Sequence, residues 1–298
     1  MLDELHNRNL KPLPLARIPI EVCEEIIDLI AFWALTHGGG GVDYGMYYAT
    51  EWRFALIACA FVCKAWHTRS MYHLHSSVWL TNRDSVEFLF KRLVHDPELH
   101  TAIKHIIIRG PAQHGLEPFG GIPHFSTFIA RLARQLPNVR TLRLCRAAWT
   151  TGSIHAESIK YLSVYTSVTQ IRLRDVAFTM ASQFRALLSA LPNLQYISCT
   201  DVSCRQRQLI VPFPSIDSVA HRHVRELVVY NTDDELVDVL TKLSTIAPTV
   251  EKLLHHDWLS MTAPNTNRQC QWLLDAYGAS LRDVEVISPN GEPRSFGH

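Results

Sequence analysis

The protein has 298 residues, enough for one large domain or two ordinary ones, and its side chains are 47% apolar and 19% charged. That low charged fraction argues against a disordered or coiled-coil chain, and seven cysteines, an odd number, argue against a disulfide-stapled secreted module. The net charge of +1 gives no overall case for nucleic acid, but residues 81–218 carry 16 basic and 9 acidic groups, or +7, while residues 1–80 and 219–298 carry −2 and −4.

The sequence gives no sign of a membrane segment or a secretory signal. The longest apolar run, 54–63, is too short to span a bilayer, and residues 1–14 lack the apolar stretch of a signal peptide. We therefore expect a protein of the cytoplasm, the nucleus or both, with a sizeable core and with no nucleic-acid or membrane partner.

The first eighty residues predict helices. Pro19 suits a first helical turn, where its missing N–H would be unpaired in any case, and the helix should end before the four glycines 38–41. Apolar residues recur along it at helical spacing: Val22, Ile26, Leu29, Ile30 and Trp33. A second helix is predicted from about Thr50 through 55–70. It is apolar nearly all round, so we expect it to be buried on several sides.

From residue 76 onwards a short apolar pattern repeats every 26–36 residues, in the form apolar-x-x-apolar-x-apolar. Its seven copies are Ile103/Ile106/Ile108, Val139/Leu142/Leu144, Val168/Ile171/Leu173, Leu194/Ile197/Cys199, Val224/Leu227/Val229, Val250/Leu253/His255 and Leu281/Val284/Val286. Helical patterns lie between them, most clearly 125–136 and 180–191, each followed by a Pro-Asn pair that stops a helix. Residues 76–82 fit a degenerate first copy.

A fixed period of this size predicts an α/β solenoid, with a curved parallel sheet and helices packed outside it. Side chains alternate across a strand, so Leu142 and Leu144 should point to the core while Thr141, Arg143 and Cys145 point outward. A doubly wound α/β domain is the alternative, although the glycine-rich turn typical of that fold is missing. The outward residues are the predicted substrate-binding set: Arg143, Arg172, Arg174, Tyr196, Ser198, Glu226, Tyr230, Lys252, His256, Asp283 and Glu285.

These outward residues are predicted to divide by charge. The early copies contribute Arg143, Arg172 and Arg174, and the late copies contribute three acidic residues: Glu226, Asp283 and Glu285. We therefore expect a concave face with a basic half and an acidic half, which would orient a partner of opposite polarity.

The segments IPIEVCEEIIDLI (18–30) and ALIACAFVCKAWHTRS (55–70) together resemble the F-box motif. Ile18 replaces the usual leucine, and the positions that match in order are Pro19, Glu21, Val22, Ile26, Ile30, Leu56, Val62, Cys63, Lys64 and Trp66. The 24 residues between the two segments exceed the usual gap, which indicates an inserted loop at about 34–52. The resemblance covers about a quarter of the chain. A leucine-rich-repeat-like remainder is a common companion, but these repeats lack the asparagine ladder of the regular family.

The resemblance implies a division of labour between an F-box-like helical domain, 12–75, and a leucine-rich-repeat-like solenoid, 76–298. The helices would dock on a Skp-type adaptor of a cullin-based SCF ubiquitin ligase, and the solenoid would hold an unidentified protein substrate. The chain itself would be no enzyme. The residues that would bind the adaptor are Ile18, Pro19, Ile20, Glu21, Val22, Ile26, Ile30, Leu56, Val62, Cys63 and Trp66. A repeat-based interaction scaffold without a ligase role is the alternative.

Other site motifs fail on their spacing. His37 with glycines 38–41 is similar to the oxyanion loop of esterases, but no serine sits in the G-x-S-x-G turn that an α/β hydrolase needs. No Gly-Lys-Ser/Thr follows the glycines, which excludes a phosphate loop. The cysteines do not form the paired spacings of a zinc site, and alternation separates His255 from His256. We therefore predict no catalytic residue, metal or cofactor.

Overall fold

The structure, a computed structural model, describes residues 19–36, 44–111, 120–150, 154, 156–206, 223–243, 249–256, 265–287 and 293–295. The chain divides into two compact units, Met1–Leu74 and His75–His298. This boundary lies one residue ahead of the predicted one, between 75 and 76.

The first unit is built from helix α1 (Ile20–Thr36), helix α2 (Tyr44–Ala60) and most of helix α3 (Lys64–Ser76). α1 begins directly after Pro19, as its pattern predicts, and Glu21 in its first turn suits the positive end of the helix dipole.

A small core joins α1 to α2. Cys23, Ile27 and Ala31 recur every four residues on one side of α1, and all three are buried. Ile27 and Ala31 form a buried cluster with Leu56 of α2. The described residues of this unit thus bury three apolar side chains together, with four partly buried ones packed around them: Ile30, Cys59, Trp66 and Leu74.

The insert predicted at 34–52 is mostly helical, because α1 extends into it from one side and α2 from the other. Within it, only 37–43, which includes the four glycines, lies outside the described residues. The indole rings of Trp33 and Trp52 stack with their centroids 6.3 Å apart. α2 begins at Tyr44, six residues ahead of the predicted Thr50.

The single helix predicted through 55–70 is two helices. The backbone N–H groups of Phe61 and Val62 donate to carbonyls three residues back, at 3.1 Å each, and this tighter turn ends α2. His67 Nδ1 then lies 3.0 Å from the carbonyl oxygen of Ala60 and satisfies that open helix end. Side-chain capping from the next helix therefore sets the break.

The second unit is built around one sheet, and the predicted α/β class is confirmed. Its described strands are β1 (Ser77–Leu80), β2 (His105–Arg109), β3 (Gly120–Gly121), β4 (Thr141–Trp149), β5 (Gln170–Phe178), β6 (Tyr196–Cys204), β7 (Glu226–Thr232), β8 (Lys252–His256), β9 (Asp283–Ile287) and β10 (Pro293–Ser295). Its described helices are α4 (Arg83–His95), α5 (Leu99–Ala102), α6 (Pro123–Leu132), α7 (Ala156–Lys160), a 3-10 helix (Tyr161–Val164), α8 (Ala181–Ser189), α9 (Asp234–Leu243) and α10 (Asn265–Tyr277).

The strands lie side by side in chain order. β1, β2 and β4 to β10 follow one another across the sheet, and β3 pairs with the second half of β4. Every pairing is parallel except that of β9 with β10. A doubly wound sheet reverses its strand order at a switch point, and the described strands show no such reversal.

The apolar pattern fixes where each strand begins. In all seven copies the first apolar residue lies two residues before its strand, as Val139 does before β4 and Val168 before β5. The apolar residues inside the strands join the large core cluster, which also contains the inner faces of α4, α6, α8 and α9. Helix α6 ends four residues earlier than predicted, at Leu132, and Arg134 just beyond it has a left-handed φ of 64°.

Aromatic side chains link neighbouring strand–helix repeats in this core. Ring centroids lie 5.7 Å apart for Phe125 and Trp149, 5.4 Å for Trp149 and Phe178, and 5.5 Å for Phe178 and Phe184. These four rings are buried, and they carry the contact from α6 through β4 and β5 to α8.

A column of left-handed residues crosses the sheet where four consecutive strands turn. Arg146, Asp175, Asp201 and Asn231 have φ angles of 49°, 52°, 53° and 41°, and they stand in register on β4 to β7. Gly110 follows β2 at the same level, and a Cβ there would lie 2.1 Å from the carbonyl oxygen of Arg146. We call these five residues the corner column. Asn231 donates from Nδ2 to Oδ1 of Asp201 at 2.7 Å, which ties two of its members together.

A second set of polar residues, the polar ladder, joins successive copies of the apolar pattern. In five copies the residue just before the first apolar position donates to a backbone carbonyl of the preceding copy. Ser167, Thr249 and Ser280 do so through hydroxyls at 2.8 Å. Asn138 and Asn193 reach further back, at 3.0 and 2.7 Å. The sequence lacks the regular asparagine ladder, yet mixed residues make a repeated bond of the same kind.

Candidate functional site

Seven of the predicted adaptor-binding residues are exposed. Ile20, Val22 and Ile26 of α1 are 43%, 43% and 42% exposed, and Val62, in the turn after α2, is 61% exposed. Pro19, Glu21 and Cys63 are also exposed. Large apolar side chains in water at these positions are what a docking surface requires.

Three other predicted adaptor-binding residues belong to the core instead. Leu56 is only 3% exposed and lies in the buried cluster with Ile27 and Ala31. Ile30 and Trp66 are partly buried and pack against that cluster. These three residues therefore contribute to the described core of the unit. Ile18 lies outside the described residues.

Four large apolar residues that sequence reasoning did not select are also exposed. They are Leu29 and Phe32 at 55%, Phe54 at 67% and Phe61 at 84%. The helix predicted to be buried on several sides is thus open to solvent. The available signal was the doubling of apolar stripes on α1, where positions 22, 26 and 29 recur beside positions 23, 27 and 31. We call Ile20, Val22, Ile26, Leu29, Phe32, Phe54, Phe61 and Val62 the exposed apolar set.

Asp28 organises the polar side of the helical unit. It accepts hydrogen bonds from Arg69 Nε at 2.7 Å and from Arg69 Nη2, and His73 Nε2 lies 2.7 Å from its Oδ1. The hydrogen bonds from Arg69, followed by that from His73, hold the pKa of the Asp28 carboxyl below its ordinary value despite some desolvation. The carboxylate therefore fixes α3 against α1.

The eleven predicted substrate-binding residues share one face of the sheet, the outward face. Strand register arranges them in three rows, the first with Tyr196, Glu226, Lys252 and Asp283, the second with Arg143, Arg172, Ser198 and Glu285, and the third with Arg174, Tyr230 and His256. Only the backbone of His256 lies within the described structure. Leu142 and Leu144 lie in the core cluster, as predicted, but Thr141, Arg143 and Cys145, which were predicted to point outward, are buried as well.

The basic part of the outward face is less open than the sequence suggests. Arg143 is 8% exposed and Arg174 is 7% exposed, although both were predicted on a solvent-facing row. The reason is crowding by neighbouring strands, since long side chains at adjacent positions cover one another's stems. The guanidinium of Arg172 lies 5.0 Å from the ring centroid of Tyr196, which holds its charge over an aromatic face.

The acidic part of the outward face is looser. Glu226 and Glu285 are half-buried and Asp283 is exposed, and Lys252 Nζ lies 3.7 Å from Oδ2 of Asp283. Tyr230 lies between the two parts. Burial and the charge of Asp201 raise the pKa of its hydroxyl, while Arg174 opposes that shift. The face therefore changes from positive to negative along the strand order.

No metal site accompanies these two surfaces among the described residues. Among them no group of three or more His, Cys, Asp or Glu side chains could hold a metal ion. No helix in the described part of the chain is long and apolar enough to cross a membrane. A scan of known protein families finds no matching family model, and a search of curated proteins finds no match.

Proposed function

We propose that the chain is the substrate-recognition (F-box) subunit of an SCF-type ubiquitin ligase. The helical unit docks on a Skp-type adaptor, and the second unit, a leucine-rich-repeat-like solenoid, holds a target protein on its outward face. The chain performs no covalent chemistry in this proposal, and the other ligase subunits transfer ubiquitin.

The observation that carries the proposal is the imbalance between interior and surface in the helical unit. Its described residues bury a cluster of three apolar side chains, whereas the exposed apolar set has eight large members. Exposed apolar surface on this scale is a usual mark of a protein–protein interface. Apolar side chains on α1 and in the turn after α2 suit a helical partner that covers both with apolar anchors.

Co-purification with a Skp-type adaptor tests the proposal. The full chain should bind the adaptor at micromolar concentration, and Val62→Asp should weaken that binding at least about tenfold, because it places a charge in an apolar contact. Val94→Asp is the matched control. Val94 is 63% exposed on α4 of the second unit, nearly the same as the 61% of Val62, so the substitution adds the same charge to a similar surface.

Two outcomes contradict the proposal. Absence of adaptor binding by the folded full chain removes the ligase role and leaves the alternative, an interaction scaffold that works through the sheet alone. Equal loss of binding in the two variants shows that added charge, rather than the exposed apolar set, controls the interaction. A deletion confined to 37–43, which keeps α1 and α2, tests whether the segment between these helices obstructs docking.

A further inference from the structure

Cationic side chains elsewhere in the described structure commonly have a carboxylate partner. Arg131 donates from Nε and Nη2 to the two carboxylate oxygens of Glu87 at 3.1 Å each. Further pairs are Arg69 with Asp28, Lys160 with Glu157, Lys242 with Asp238, Lys252 with Asp283 and Arg282 with Glu251. Pairing of this kind offsets the cost of holding a charged head against the protein surface.

Strands β2, β4 and β5 are rich in basic side chains. They hold five arginines, namely Arg109, Arg143, Arg146, Arg172 and Arg174, against one acidic side chain, Asp175. Arg143 and Arg172 are direct neighbours across β4 and β5, and Arg174 follows Arg172 on the same face. Three guanidinium groups thus occupy adjacent positions in the middle of the sheet.

The guanidinium of Arg174 is buried, and two of its three nitrogens lack a hydrogen-bond acceptor. Its side chain is 8% exposed, and its Nε and Nη1 atoms are buried without a hydrogen-bond partner in the described structure. Asp175 Oδ2 lies 3.6 Å from Nε, beyond hydrogen-bond distance. Arg172 Nε is likewise buried and has no partner there, although Arg172 as a whole is half-buried and can be reached from solvent.

The charge of Arg172 also acts on His105, the first residue of β2. Burial is the main cause that lowers its pKa to about 4, and the charges of Arg172, Lys104 and Arg140 lower it further. Buried guanidinium N–H groups without an acceptor are destabilising, and planar guanidinium groups match the oxygens of phosphate or carboxylate. Several adjacent guanidinium groups favour a doubly charged oxyanion over a singly charged one.

We propose that Arg172 and Arg174, with Arg143 beside them, bind a phosphate-class oxyanion carried by the ligand of the outward face. This inference rests on the proposed function only in taking that face as the ligand surface. The oxyanion oxygens supply the acceptors that Arg172 Nε and Arg174 Nε and Nη1 lack, and Tyr196 keeps the Arg172 guanidinium in place.

Thermal unfolding of the full chain with inorganic phosphate, at constant ionic strength set with chloride, tests the site. Phosphate should raise the Tm in a saturable way, since a ligand that binds the folded state stabilises it. Arg174→Gln should weaken phosphate binding about tenfold or more. Without phosphate the same variant should unfold close to the wild-type temperature, because the buried N–H groups that it removes have no acceptor and the ion pair that it removes, with Asp175 at 3.6 Å, is long.

Arg172→Gln gives a second measure that does not depend on how Arg174→Gln folds, and it should weaken phosphate binding similarly. Arg131→Gln is the control, since Arg131 is paired with Glu87 on another part of the unit. It should leave the response to phosphate unchanged. A wild-type Tm that phosphate does not raise, or a full response in both Arg172 and Arg174 variants, overturns the proposal.

Two further ligands distinguish the source of the anion. N-acetyl-phosphoserine methylamide, if it binds at least as tightly as inorganic phosphate, supports a phosphorylated protein segment. If inorganic phosphate binds and the phosphoserine derivative does not, the oxyanion site is supported with a free ion as its ligand. That result overturns the proposal that a larger partner carries the phosphate. An equal response to acetate overturns the phosphate class.

The adaptor assay on the same variants separates this proposal from the one before it. Arg174→Gln should keep full adaptor binding, and Val62→Asp should keep the full response to phosphate. Loss of the phosphate response with adaptor binding intact counts against the oxyanion site alone. Loss of adaptor binding with the phosphate response intact counts against the ligase role alone.

Discussion

Arg69 donates from Nε to Oδ1 of Asp28 at 2.7 Å and so joins α3 to α1 across 41 residues of chain. His73, one turn further along α3, contacts the same carboxylate. The two helices whose exposed ends border the predicted adaptor surface are therefore fixed by one charged group. This matters because the apolar cluster of the unit is too small to hold three helices alone.

Asp28→Asn should destabilise the helical unit by about 1 kcal/mol, a modest cost because both partners are more than a third exposed and solvent screens the pair. Hydrogen exchange of α3 amides measures it. The pKa of Asp28 is lowered in the folded state, so its contribution is present above the ordinary value of 3.8 and is lost as the pH falls through the lowered pKa. Glu157→Gln, at the exposed pair with Lys160, should change stability little. Equal effects of the two substitutions would contradict this role of Asp28.

Leu56→Ala should cost about 2–5 kcal/mol of unfolding free energy, because it removes one of the three clustered core side chains. Val62→Ala, by contrast, should change stability by less than about 0.5 kcal/mol, since Val62 is 61% exposed. Urea denaturation of both variants makes the comparison. A neutral Leu56→Ala would mean that this motif position serves docking after all.

Asp201→Ala should destabilise the second unit more than Asp201→Gly. Both variants lose the hydrogen bond from Asn231, but alanine must also adopt the φ of 53° that glycine accepts freely. The difference should be about 1 kcal/mol in favour of glycine. Chemical denaturation of the two variants measures it, with Asp201→Asn as the mildest change. Equal stability of the alanine and glycine variants would show that the corner carries no backbone constraint.

The second unit should lose stability as the pH falls from about 6.5 to about 4. His105 has a folded pKa of about 4 against an ordinary 6.5, so the unfolded chain binds its proton first and stability is complete only above that window. The free energy of unfolding should be lower at pH 4 by about 3 kcal/mol. His105→Gln should flatten the dependence of unfolding free energy on pH, and His95→Gln, on an exposed part of α4, should not. An unchanged slope in His105→Gln would remove this assignment.

The sequence predicts the sheet well because the core dictates it. The apolar triplets must face inward, so positions such as Leu142 and Leu144 fix both strand and register, and Arg143 between them must face outward. The solvent exposure of the outward residues is not predicted as well. Arg143 and Arg174 are buried by neighbours that lie about thirty residues away in sequence, and no local pattern reports the crowding of adjacent strands.

In the helical unit, the motif does not distinguish buried positions from exposed ones. A motif marks which positions are constrained, but Leu56 is constrained by the interior and Val62 lies in water, and both match equally well. The break before α3 depends on His67 reaching back to Ala60, a contact that helix propensity does not encode. The polar ladder could have been predicted from the sequence, since Asn138, Ser167 and Asn193 precede the same apolar position. Each of these side chains alone, however, is common in a turn.

The corner column has a consequence for how this protein can change over time. Each repeat from β4 to β7 needs its apolar triplet, one corner-column residue and, in most cases, one polar-ladder residue to stack on the next repeat. The outward positions on the same strands belong to neither the apolar core, the corner column nor the polar ladder. Substitutions there can therefore accumulate without loss of the architecture, so the surface can be retargeted to a new ligand while the scaffold beneath it is inherited unchanged.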